Sequence, residues 1–181
     1  MFSTMNRHVI LLLLVAFICS TAIAQKAKDR APLILVSDSL TGKYGYKNEA
    51  GKIIVPMGRY SYSYTDTFRN YAIVIDSGNN LIAVDRQFRS LYKVFVFDNG
   101  PDYPAEGLFR IKVAGKIGYA DSASGRIVVK PQYACAYPFE NGKAMVALNC
   151  KTRAIGEHST WDSDEWFYIN KAGQRVNPSA K

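Results

Sequence analysis

The chain has 181 residues, a formal net charge of +8 and 48% hydrophobic residues. That length suits one domain able to bury a sizeable core without a structural metal. Its Lys and Arg residues are scattered, with no run of five or six. This argues against nucleic acid as a partner. Outside the cytoplasm such a chain can meet anionic glycans, lipid headgroups or an acidic partner, a solvated basic surface being the plainer reading.

In chain order, Arg7 and His8 precede an unbroken apolar run from Val9 to Cys19, followed by small residues at Ala22 and Ala24. This is the pattern of a secretory signal peptide, residues 1–24, cleaved after Ala24. The run is too short for a membrane anchor, which needs ~20 apolar residues. Cleavage leaves 157 residues with a charge of +7, expected to be periplasmic or extracellular with no transmembrane segment. Residues 25–32 read as a linker, 33–176 as the folded domain and 177–181 as a tail. Of the cysteines, Cys135 and Cys150 survive cleavage. In an exported chain they permit a disulfide, with two buried thiols as the alternative.

From Leu33 onward the apolar pattern is strand-like. Short segments rich in Val, Ile, Tyr and Phe follow one another: LILVS, KYGYK, KIIVP, YAIVI, LIAVD, YKVFVF, FRIKV, KIGYA, RIVVK, AMVAL and WFYIN. Gly, Asn, Asp and Pro punctuate them, and no window of 12 or more residues keeps a helical period. The expected fold class is all-β, a tandem repeat of short antiparallel hairpins.

The segments also recur in a fixed order. GKYGYKNEAGKIIVP (42–56) and GKIGYADSASGRIVVKP (115–131) are near-copies 73 residues apart. A worn copy between them puts Val84 where Tyr46 and Tyr119 stand. A second marker recurs at Phe68, Tyr103 and Phe139, in steps of 35 and 36 residues. The chain thus reads as three units with half-units at both ends, LILVS opening and EWFYINKAGQRV closing. Within each copy, Gly45 and Gly118 are expected to leave room for an aromatic from the next unit. Gly51 and Gly125 are expected to supply the positive φ of a tight turn. Pro56 and Pro131 are expected at strand ends, where a missing N–H does least harm.

On these residues the chain resembles the WG-repeat (KWG-repeat) family, whose unit reads roughly G-K-W-G-Y-I-D, a turn, G, three apolar residues, P, then F-x-x-G-x-A-x-V. Lys43, Gly45, Tyr46, Gly51, Pro56 and Phe68 carry the match in one unit. Lys116, Gly118, Tyr119, Gly125, Pro131, Phe139, Gly142, Ala144 and Val146 carry it in another. The defining Trp is Tyr44 in the first and Ile117 in the third. Trp166 takes its place in the last hairpin, with Phe167 for the following Gly. The resemblance implies an all-β repeat fold in interaction or envelope proteins, with no catalytic residues to carry over.

His158 lies among Glu157, Asp162, Asp164 and Glu165 in the longest gap between segments. These residues read either as oxygen ligands for a cation or as an acidic solvated loop. Asp76, Asp85, Asp98, Asp102, Glu106 and Glu140 could supply the two carboxylates of a polysaccharide hydrolase, but nothing singles out a pair. No phosphate loop, nucleophile elbow or zinc spacing is present, so neither cofactor nor metal is expected. The stretch RYSYSYTDTF is the strongest binding feature. If extended, it puts Tyr60, Tyr62 and Tyr64 on one side, with Arg59 at its start. The expected site is Arg59, Tyr60, Tyr62 and Tyr64, with His158 and Trp161 from the long gap. The expected function is a non-catalytic exported module binding an envelope protein or glycan. The alternatives are a structural envelope component without a small ligand and, more remotely, the hydrolase.

Overall fold

The computed structural model describes residues 31–155 and 158–177. The signal peptide, the start of the linker and residues 178–181 lie outside them. Among the described residues the fold is all-β, without a helix, and every strand pairing is antiparallel. No helix there is long and apolar enough to cross a membrane.

The chain forms four three-stranded meanders. The first is β1 (Leu33–Asp38), β2 (Lys43–Lys47) and β3 (Ile53–Tyr60). Short strands β4 (Tyr62–Ser63) and β5 (Thr67–Phe68) lead out of it. The second is β6 (Tyr71–Ile75), β7 (Leu81–Asp85) and β8 (Ser90–Val94), followed by a small hairpin, β9 (Val96–Phe97) and β10 (Gly100–Pro101). The third is β11 (Leu108–Val113), β12 (Lys116–Asp121) and β13 (Ile127–Tyr133), then β14 (Cys135–Ala136). In the fourth, β15 (Lys143–Ala147) is separated from β18 (Phe167–Asn170) and β19 (Arg175–Val176) by an arm, β16 (Lys151–Ile155) and β17 (His158–Asp162). The strand that the sequence assigns to the end of one unit therefore belongs in space with the doublet that follows it. Grouped by pairing, the three units and two terminal halves of the sequence make four meanders.

Strands β8 and β11 pair, joining the second and third meanders into a seven-stranded sheet, β13-β12-β11-β8-β7-β6-β4. Burial alternates along β6 and β8, whereas β7, β11 and β12 carry runs of three or four buried residues, so each unit shares a core with its neighbours. Leu33, Tyr46, Val55, Tyr60 and Phe68 of the first unit pack with Ala72, Val74, Ile82 and Val84 of the second. Ala83, Tyr92 and Val94 meet Phe109, Ile111 and Ala120 between the second and third. Ile117, Tyr119, Val129, Tyr133 and Phe139 of the third pack with Ala144, Val146 and Ile169 of the fourth.

These cores explain the two recurring markers. The doublet tyrosine and the later phenylalanine meet edge-on, Tyr46 with Phe68 at 5.4 Å and Tyr119 with Phe139 at 4.8 Å between centroids. Each tyrosine hydroxyl then donates to a carbonyl of the segment after its doublet. Tyr46 Oη reaches Thr65 O at 2.6 Å and Tyr119 Oη reaches Tyr137 O at 2.6 Å. The buried hydroxyl is satisfied and the segment is fixed.

The glycines at 45 and 118 face backbone, not a neighbouring ring. A Cβ on Gly118 would lie 2.5 Å from Val129 O and 2.6 Å from Pro131 N. On Gly45 it would lie 2.7 Å from Val55 O and from Met57 Sδ. The cause is a bulge in the partner strand. Two steps along β2, Tyr44 to Tyr46, face five along β3, Tyr60 to Val55. Ile117 to Tyr119 faces four, Tyr133 to Val129. In the second unit Ala83 holds the glycine's place and the register slips by one residue after it. In the fourth, β18 and β19 stay in step and a tyrosine, Tyr168, stands there. The last unit therefore aligns one residue later than the sequence suggests, Phe167 in the Trp position and buried Ile169 in the Tyr position. Pro56 and Pro131 sit inside β3 and β13 at the bulges, on the outermost strands of their sheets, where a missing donor breaks no ladder bond. The ring that does approach a glycine is Tyr71, which packs over Gly125 with its hydroxyl on Ser122 O at 2.9 Å.

Candidate functional site

The tyrosine-rich stretch does not stay extended. The chain bends at Ser61 between β3 and β4, and the alternation breaks there. Tyr60 and Ser63 turn inward, and Tyr60 is only 7% exposed within the core of the first two units. Tyr62 and Tyr64 face solvent, each 40% exposed. Arg59 lies over the rings of Phe88, at 5.1 Å, and of Tyr60, at 5.8 Å, a cation–π arrangement that covers the core.

The exposed rings nevertheless belong to a larger surface. Half-buried Tyr44 packs edge-on against Tyr62 at 5.1 Å, and Tyr62 against Tyr64 at 4.9 Å. Tyr64 lines a cleft of about 280 Å³ together with Tyr71, Pro101, Tyr103, Pro104 and Phe109. Tyr103 contacts Phe97 at 6.4 Å, and the two are 67% and 50% exposed. An aromatic belt thus runs Tyr44, Tyr62, Tyr64 and, lining the same cleft, Tyr103 with Phe97. Sequence reasoning missed its second half. Tyr103 had a signal, since it marks the repeat where the other copies have Phe, but Phe97 had none beyond an apolar strand pattern.

One buried ion pair positions this half. Asp102, between Pro101 and Tyr103, accepts from the backbone N of Arg110 at 2.8 Å and from its Nε at 2.9 Å, and pairs with its Nη2. The guanidinium stacks 4.2 Å from the Phe95 centroid and donates to Ala136 O at 3.2 Å. Every polar face of the pair is used, as burial demands. The belt segment is anchored to β11 by a carboxylate the sequence offered only as one of six candidate acids.

Three of the other five candidate acids also have structural partners. Asp76 and Asp85 accept N–H groups in their own turns, Gly78 and Asn80 in one, Gln87 and Arg89 in the other. The Asn80 hydrogen bonds hold the Asp76 carboxyl below its ordinary 3.8, and Asp85 is also lowered, its hydrogen bonds from Arg89 and Gln87 outweighing desolvation. Glu106 accepts from Gly142 N at 3.1 Å and pairs with Lys171 Nζ at 3.0 Å. Asp98 and Glu140 are exposed.

The long gap is a hairpin arm, not an acidic loop. Trp161 on β17 packs edge-on to Phe95 at 5.8 Å and to Tyr137 at 5.4 Å, closing over the core of the third and fourth units. Asp162 pairs across the arm with Arg153 at 2.6 Å. A disulfide between Cys135 and Cys150 ties β14 to the foot of the arm, with Cα atoms 6.0 Å apart. His158 opens β17, but its side chain and Glu157 lie outside the described residues. Among the described residues no three His, Cys, Asp or Glu are placed to hold a metal ion.

No curated protein and no solved structure matches the chain. The model of the WG-containing repeat matches twice, over residues 44–79 and 117–151. Both matches start at the position of the missing Trp, Tyr44 and Ile117, and run through the bulge glycine, the buried Tyr and the marker Phe. With the spacing, the bulge and the Tyr–Phe contact repeated at those positions, the chain carries two copies of the WG-containing repeat.

Proposed function

We propose that this chain is an exported, non-catalytic interaction module that binds a protein partner at the cell envelope through its aromatic belt. The observation that carries the reading is the belt itself. Five aromatic side chains from two units line one surface, and the three most exposed tyrosines, Tyr62, Tyr64 and Tyr103, are not needed to fill a core. Tyrosine combines a large apolar body with a polar tip and is enriched where proteins meet. The engagement of Asp76, Asp85, Asp102 and Glu106 in turns and ion pairs supports a non-catalytic role. Export rests on the apolar run before Ala24 and the Ala22–Ala24 pair.

The test is capture from envelope extract on immobilised protein, residues 25–181, beside the variant Tyr62→Ser/Tyr64→Ser/Tyr103→Ser. The expected result is a protein retained by the native chain and lost with the variant. Equal recovery by both would remove the belt from the binding site.

A further inference from the structure

The cleft that Tyr64 and Tyr103 share has no open charge. Among the described residues no lysine or arginine lines it. Its one carboxylate, Asp102, is buried and held by the backbone N–H and the guanidinium of Arg110. Backbone donors are engaged as well. Tyr64 N donates to Ile73 O at 2.9 Å, Ile73 N to Thr65 Oγ1 at 2.9 Å and Asp102 N to Phe95 O at 2.9 Å. Pro101 and Pro104, also in the lining, have no N–H. The Tyr71 hydroxyl donates to Ser122 O. The groups left to a ligand are apolar faces and two hydroxyls, those of Tyr64 and Tyr103, neither of which has a hydrogen-bond partner among the described residues.

We propose that this cleft takes a proline-rich segment of the protein partner in the polyproline II conformation, an inference that rests on the belt being the binding surface. The complement of an uncharged cleft without free backbone donors is a segment that brings neither charge nor N–H groups. An ordinary extended peptide would bury its N–H groups there unpaired. A helix is about 10–12 Å across with its side chains, too thick to enter a cleft of about 280 Å³. A proline segment has no N–H to satisfy, and its carbonyls can accept from the Tyr64 and Tyr103 hydroxyls. Its pyrrolidine rings offer apolar faces to aromatic walls. Its conformation is set before binding, so little freedom is lost. The cleft is preformed too, since Asp102 fixes the Pro101–Tyr103 segment to β11 and Tyr64 is bonded to β6. Tyr62 adjoins Tyr64 at 4.9 Å and Phe97 adjoins Tyr103 at 6.4 Å, so aromatic surface continues beyond the cleft from both tyrosines.

The probe is an end-capped proline decapeptide, titrated into nitrogen-15-labelled protein of residues 25–181 and followed by amide shifts. An end-capped alanine–glutamine decapeptide, which keeps its N–H groups and favours a helix, is the control. The expected result is saturable shifts confined to the segments 62–73 and 97–104, at a Kd of about 0.1–1 mM, with the control at least about tenfold weaker. Tyr103→Phe keeps the ring and loses one donor, and should weaken binding about threefold. Tyr64→Ser/Tyr103→Ser should weaken it about tenfold or more. The proposal is overturned if those amides do not move at about 10 mM peptide, or if the shifts fall elsewhere on the surface. Equal affinity for the control, or full affinity in the double Ser variant, overturns it equally. Belt-dependent capture without proline binding defeats this inference alone. Proline binding with capture indifferent to the belt defeats the proposed function instead.

Discussion

Replacing Gly118 by Ala adds one methyl group where three backbone atoms already stand, Val129 O at 2.5 Å and Pro131 N and Cα at 2.6 and 2.8 Å. None of these atoms can swing aside like a side-chain tip, so β13 must back away from β12. That strains the pairs Ile117↔Tyr133 and Tyr119↔Val129, all four residues being buried in the core of the third and fourth units. Overpacking of this kind costs roughly 1–3 kcal/mol. Lower unfolded-state entropy in the Ala variant returns only about 0.4–1 kcal/mol. The net expectation is a loss of about 1.3 kcal/mol. For a domain of this size that is a fall in Tm of roughly 3–5 °C. Gly45→Ala is the comparison. One of its contacts is the flexible Met57 thioether, although Val55 O at 2.7 Å is as close, so about half the loss is expected. Denaturant and thermal melts of both variants measure the effect. A Gly118→Ala protein within about 0.5 kcal/mol of the native one would refute the bulge as the reason for the glycine.

Three further outcomes are expected. Asp102→Ala strands Arg110 in the interior and should cost about 3–5 kcal/mol in denaturant melts, whereas Asp102→Ala with Arg110→Met should recover most of it. In alkali, burial raises Tyr46 from 10.0 to about 12, and raises Tyr92 and Tyr119 in the same direction. Their folded values exceed the unfolded ones, so the stability they contribute is complete below pH 10 and lost as pH rises toward 12. Tyrosinate absorbance from these residues should therefore appear together with unfolding, not ahead of it. Removing the disulfide as Cys135→Ala/Cys150→Ala opens a 15-residue separation and should cost about 3 kcal/mol. Amide exchange should rise first along β16 and β17, the arm it anchors.

The repeat was legible because its spacing is set by the sheets. The strands, the turn glycines and the Tyr and Phe markers all recur on a period near 36 residues. What a doublet tyrosine touches was not legible, because Tyr46 meets Phe68 only once the chain has crossed β3, β4 and β5. The bulge hid the roles of Gly45 and Gly118, since pairing slips are invisible in one strand read alone. Tyr60 misled for a local reason. Alternation holds within a strand, and the bend at Ser61 ends one strand before the next begins. Trp161 resembled a binding residue in an insertion, yet it fills the gap above Phe95 and Tyr137. The belt draws on segments from separate units, so only the fold could join them.

The claim that the belt faces a partner and not a core is tested most directly by comparing thermal unfolding of Tyr62→Ser/Tyr64→Ser/Tyr103→Ser with that of Tyr60→Ser. The triple variant loses edge contacts with Tyr44 and Phe97 and within the stripe, each worth about 0.5–1.5 kcal/mol at most. At their exposure the expected total loss is under about 2 kcal/mol, with one cooperative transition kept. Tyr60→Ser empties a buried ring site and should lose about 3 kcal/mol or more. If the triple variant instead loses as much as Tyr60→Ser, or unfolds without a cooperative transition, the belt is packing and the binding surface lies elsewhere.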